Sequence, residues 1–84
     1  MKMSKLAVQD YGLVRERSEG TLYLMRKLRK PIGWAEEVAV RIDGRWVVQD
    51  GSKYRVLWGD VSRFSTKEEK SRLLEILKEA GLTN

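Results

Sequence analysis

The stretch VAVRIDGRWVVQDGSKYRVLW, residues 38–58, decides the fold. Val38, Val40 and Ile42 alternate with Ala39 and Arg41, the period of two that a strand requires. Asp43 and Gly44 follow. An Asp-Gly pair between alternating runs signals a two-residue hairpin, because both central positions of the favoured turn need a positive φ. RWVVQ is the returning strand, and Asp50, Gly51 and Ser52 form a second turn. KYRVLW then supplies a third strand, with Tyr54, Val56 and Trp58 on one face and Lys53, Arg55 and Leu57 on the other. The expected strands span about 37–42, 45–49 and 53–58, and such short connections predict pairing in chain order.

Downstream, SRFSTKEEKSRLLEILKEAGLTN reads as a loop followed by a helix at about 66–80. Ser65 or Thr66 can cap it, with Glu68 or Glu69 completing a capping box. Leu73, Ile76, Leu77 and Ala80 recur at helical spacing, Leu74 widens that stripe, and Gly81 stands where a left-handed cap belongs. The fold class is therefore α+β. An antiparallel sheet of at least three strands packs against one C-terminal helix, and 1–84 forms a single small domain. If the helix covers Tyr54, Val56 and Trp58, then Lys53, Arg55 and Leu57 face outward.

The N-terminal segment is ambiguous. YGLVRER fits a strand, and Ser18, Glu19 and Gly20 fit a turn. TLYLMRKLRK fits either a short helix capped by Thr21 or an extra strand. Leu and Met tilt residues 21–30 towards helix, whereas Tyr23 favours a strand. Pro31 ends either element.

Composition excludes several classes of function. The chain has 84 residues and neither cysteine nor histidine. Disulfides, thiolate metal sites and histidine-based catalysis are thereby removed. No apolar run is long enough to span a membrane, and the basic start MKMSKLAVQDYG is too short in apolar residues for a signal peptide. A cytoplasmic (intracellular) protein is expected. The glycines match no phosphate-binding loop. Glu36 and Glu37 point to opposite faces of a strand, while Asp43 and Asp50 sit in turns where backbone bonding explains them. The chain is read as no enzyme, with no cofactor and no metal.

The net charge of +5 is unevenly spread. Residues 1–35 hold eight Lys or Arg against three acids, whereas 36–64 and 65–84 are each balanced. Such asymmetry is an argument about partners. Arg26, Lys27, Arg29 and Lys30 form the densest basic cluster, and Arg41, Arg45, Lys53 and Arg55 lie on the expected sheet. Cations within reach of one another can hold a phosphate backbone. Equally, long cationic side chains cover the rim of a small core, and one sheet face is usually solvated. Trp46 and Trp58 fit the core. Trp34, in an expected loop, is the candidate ring for stacking on unpaired bases, with plugging the core as its competing role.

One segment carries a family likeness. Asp43-Gly44-Arg45-Trp46, then Tyr54-Arg55-Val56, then Phe64-Ser65-Thr66-Lys67-Glu68-Glu69 resemble the arm-type, AP2-like DNA-binding domain of phage and transposon tyrosine recombinases, over residues 40–80. The resemblance implies a three-stranded sheet on one helix, with the sheet entering the major groove. Carried over by position, it implies that Arg41, Arg45, Lys53 and Arg55 face the groove. Gly59-Asp60-Val61 departs from the basic turn often found before the family's helix.

Two classes of function follow. One is a small basic DNA-binding accessory or regulatory protein, of the kind mobile elements and viruses encode, contacting duplex DNA mainly through its backbone. The other is a protein–protein adaptor or inhibitor using the basic N-terminal segment or a sheet edge. Single-stranded nucleic acid or RNA is a further alternative partner, as is a second copy of the chain in a homodimer. No membrane partner is expected.

Overall fold

A long central strand organises the molecule. The computed structural model describes residues 10–57, 59, 61 and 65–82. Among these, β1 spans Tyr11–Arg15, β2 Leu22–Lys27, β3 Trp34–Ile42, β4 Arg45–Val48 and β5 Lys53–Arg55, followed by the helices α1 (Lys67–Ser71) and α2 (Leu73–Glu79). The architecture is α+β, an antiparallel sheet with a helical C-terminal region. Strands β1 to β4 pair in chain order. β5 does not extend that order. It pairs with β3 through Trp34↔Arg55 and Glu36↔Lys53, so β4 and β5 share one edge of β3. The expectation that β5 would pair with β4 is corrected. With nine residues, β3 is long enough to seat both short partners in succession.

Residues 22–27 form a strand, which corrects the tilt of 21–30 towards helix. Pairing decides it. Leu22 and Leu24 lie opposite Arg15 and Leu13 of β1, and Leu24 also lies opposite Ala39 of β3. Two neighbouring strands satisfy its backbone and bury alternate side chains, which outweighs a few tenths of a kcal/mol of roughly estimated helix propensity.

The register between β2 and β3 shifts between Leu24 and Met25, with Ala39 and Glu37 as their partners. Val38 is the extra residue of a β-bulge. The strict alternation expected across 38–42 therefore fails. Val38 packs against the helix-side core beside Ala39 instead of sharing a face with Val40 and Ile42.

The core lies between the sheet and α2. Tyr11, Leu13, Leu22, Leu24 and Ala39 meet Ile76, Leu77 and Ala80, with Trp46 and Leu73 partly buried against them. The helical stripe therefore faces the sheet, although Leu74 points away and is exposed. Thr66 caps α1 through a capping box with Glu69. Ser65 is used differently. It is buried, and its hydroxyl donates to the Leu13 carbonyl at 2.6 Å, which ties the helix entry to β1. The helical run breaks at Arg72 (φ −100, ψ 10) into two short pieces. At its end, Gly81 (φ +76) and Leu82 donate to Lys78 and Leu77 carbonyls at 3.0 and 2.9 Å. That is a Schellman cap, closed by the packing of Leu82 on the core.

The core face of β5 is also corrected. By register, Lys53 and Arg55 share the helix side of the sheet, and Tyr54 lies on the opposite side with Ala35. Trp58 and Phe64 lie outside the described residues.

Candidate nucleic-acid interface

The eight cations singled out from the sequence are distributed over two ends of the sheet. Arg41 and Arg45 flank the β3–β4 hairpin, where Asp43 (φ 51) and Gly44 (φ 76) make the turn. Lys27, Arg29 and Lys30 lie at the other end, on and beyond the tip of β2, and Arg55 sits beside Trp34 at the same end. From Ala35, opposite Lys27, to Ile42, opposite Arg45, the chain covers about 23 Å at strand rise. The cations do not merge into one strip.

Their local partners differ as well. Arg26 is bonded to Glu36 at 2.7 Å, across the β2–β3 pair. Its charge is largely answered there. Arg41 lies over the Trp46 ring, 5.6 Å from its centroid, and donates to the Gly44 carbonyl at 3.3 Å. The pairings Arg41↔Trp46 and Ile42↔Arg45 are those of a two-residue hairpin at 43 and 44. By contrast, the side chains of Lys27, Arg29, Lys30, Arg45, Lys53 and Arg55 make no ion pair or hydrogen bond among the described residues. All six are exposed. Outside the singled-out group, Arg15 is paired with Glu69, and Arg72 with Glu75 and Glu79.

The sheet face turned away from the helix carries Lys27, opposite Ala35, at one end and Arg45, opposite Ile42, at the other. A hollow of about 330 Å³ opens there, lined by Val14, Tyr23, Met25, Glu37 and Tyr54, and Arg55 at the strand end also reaches it. Burial raises the Tyr23 hydroxyl above its ordinary pKa, and the carboxylates of Glu16 and Glu37 raise it further. Burial likewise raises Glu37, with Asp50 adding to it. Lys53 and Arg55, expected on that outward face, lie by register on the helix side instead, and the outward face holds Tyr54 near Glu37.

Trp34 opens β3 and is half-buried, so it is a strand residue and not the loop residue expected. Trp46 packs on the core, but its Nε1–H is buried with no hydrogen-bond partner among the described residues. The sequence reading missed Ile32, which projects from the β2–β3 turn and is exposed beside the basic cluster. Its signal was an apolar residue between Pro31 and Gly33, in a turn with nothing to bury it.

Among the described residues no cluster of three or more acids could hold a metal ion, and no helix is long and apolar enough to cross a membrane. Comparison with known families, curated proteins and solved structures finds no match.

Proposed function

We propose that this chain is a small basic DNA-binding accessory or regulatory protein that holds duplex DNA mainly through the phosphate backbone, and that it binds without catalysing a reaction. The observation that carries the reading is the end of the sheet where Lys27, Arg29, Lys30 and Arg55 are exposed and lack acidic partners. A cation beside a carboxylate gives less to a polyanion, because the carboxylate cancels much of its attraction. Unpaired ones release condensed counterions from DNA directly. The likeness of residues 40–80 to arm-type domains of tyrosine recombinases lends this reading no weight, because β5 pairs with β3 and Arg45 lies on the opposite face from Lys53 and Arg55. The contact surface in this proposal is the β2–β3 end of the sheet, not the sheet face.

If these four cations reach phosphates, log affinity falls against log salt with a slope of roughly −3 to −4. Fluorescence anisotropy with duplex, single-stranded and RNA probes measures it. Neutralising Arg29 and Lys30 together should reduce the slope by about two units, and neutralising Arg45 should leave it unchanged. An absence of binding to every probe at low salt sinks the reading.

A second reading has its own support. On the face away from the helix, Ile42, Val47 and Tyr54 are all more than 40% exposed, and Tyr54 borders the hollow there. Exposed apolar residues gathered on one face fit a protein partner. Loss of such a partner on replacing Tyr54 and Val47, with DNA binding absent, would favour the adaptor alternative.

A further inference from the structure

The turn between β2 and β3 carries an apolar side chain that folding does not use. Ile32 is 89% exposed, although isoleucine is among the residues most often buried. The turn that holds it is well braced. Leu28 N–H donates to the Trp34 carbonyl at 3.0 Å, and Trp34 N–H to the Pro31 carbonyl at 3.2 Å. The Gly33 carbonyl accepts from Val56 N–H at 2.7 Å, which ties the turn to the end of β5. Beside Ile32, a hollow of about 480 Å³ is lined by Asp10, Lys27, Leu28 and Arg29.

A single exposed apolar residue needs no explanation by itself. The combination here does. Ile32 shares its turn with Arg29 and Lys30, and Lys27 ends the strand leading into it, all three without an acid partner among the described residues. A purely apolar docking site on another protein would have to accept these cations as well. A nucleic-acid groove offers both chemistries together, with phosphates at its walls and apolar base faces between them. Ile32 is also β-branched and stiff, so little side-chain freedom is lost when it inserts.

We propose that the β2–β3 turn is a DNA wedge, in which Ile32 enters a base step from the minor groove while Lys27, Arg29 and Lys30 hold the flanking phosphates. The proposal rests on the duplex-DNA reading above and adds the groove, the inserted residue and the deformation. An apolar wedge of this kind partly unstacks one step and bends the duplex towards the major groove. Steps that yield easily, such as TA or a mismatch, are therefore preferred, because less stacking is lost there.

The test uses end-labelled duplexes with a central TA step, a single mismatch or an uninterrupted G·C run, read by energy transfer for bending and by anisotropy for affinity. The wild-type chain should bend the duplex and favour the mismatched and TA duplexes. Ile32→Ser should abolish the bend and that preference, weaken binding on the order of tenfold, and leave the salt slope intact. Ile32→Leu should keep all three properties. Because Ile32 is exposed, the far-ultraviolet circular dichroism and thermal melts of both variants should match the wild type. If the wild type binds no duplex, the duplex reading and the wedge fall together. If it binds and Ile32→Ser behaves identically on all three duplexes, the wedge alone falls. Ile32-dependent binding to poly-glutamate without any bending of DNA overturns the wedge in favour of an acidic protein partner.

Discussion

Replacing Leu77 by alanine tests the packing on which the whole architecture depends. Leu77 is fully buried, whereas Leu74, one helical turn earlier, is 47% exposed. Leu77 belongs to the same buried cluster as Leu13 of β1, Leu24 of β2 and Ala39 of β3. Truncating a leucine at such a site costs about 2–5 kcal/mol, from lost transfer energy and the cavity left behind. A chain of this length has a total stability of roughly 4–12 kcal/mol. Leu77→Ala should therefore lose a large share of it, while Leu74→Ala should stay within about 0.5 kcal/mol of the wild type. Urea melts followed by circular dichroism give the comparison. With a denaturant dependence of about 1 kcal/mol/M, the Leu77→Ala midpoint should fall by about 2 M or more. Equal losses in the two variants, or a Leu77→Ala midpoint indistinguishable from wild type, would show that α2 is not docked as described.

Three further outcomes follow from the same geometry. Burial tends to raise the Glu69 carboxyl, but hydrogen bonds from the Thr66 backbone and from Arg15 prevail and hold it below its ordinary 4.5. The stability it contributes is present above about pH 4.5 and is lost as pH falls through the lowered value. Thermal melts across that range should show Glu69→Gln losing less on acidification than the wild type. Glu37 is raised, first by burial and then by Asp50, so its ionisation opposes folding as pH rises from 4.5 through the raised value. Glu37→Gln should melt higher than wild type at neutral pH, with the gap closing in acid. Gly81 sits at φ +76 in the Schellman cap, and Gly81→Ala should cost about 1 kcal/mol in a urea melt.

The parts of the fold that could be read from the sequence are those whose causes are local. Thr66 with Glu69 and Gly81 with Leu82 each complete their hydrogen bonds within a few residues, so the limits of the helical region could be read there. The Asp43–Gly44 hairpin was legible for the same reason, since its φ values depend on two residue types. Residues 22–27 were not legible, because their strand exists by virtue of two partners, one following a turn at 17–19 and the other a turn at 32–33. Nor was the pairing of β5 with β3, which depends on the length of β3. The bulge at Val38 inserts one residue and shifts every later side chain of β3 to the opposite face from simple alternation.

The candidate site shows how a charge count overstates what a polyanion meets. The first 35 residues carry the whole net charge, yet Arg15 is answered by Glu69 and Arg26 by Glu36, acids that lie outside that segment in the sequence. Folding brings balanced regions back against the basic one, and two of its cations are locally neutralised. Lys27, Arg29 and Lys30 have no such partner among the described residues, because they lie at the tip of a hairpin where few elements approach. Projection from the sheet thus explains both their unpaired charge and the exposure of Ile32 between them and β3. A binding surface made this way is defined by what the fold leaves uncompensated. Paired Arg26 should therefore contribute less to any salt-dependent contact than Arg29, although the two lie in the same basic cluster.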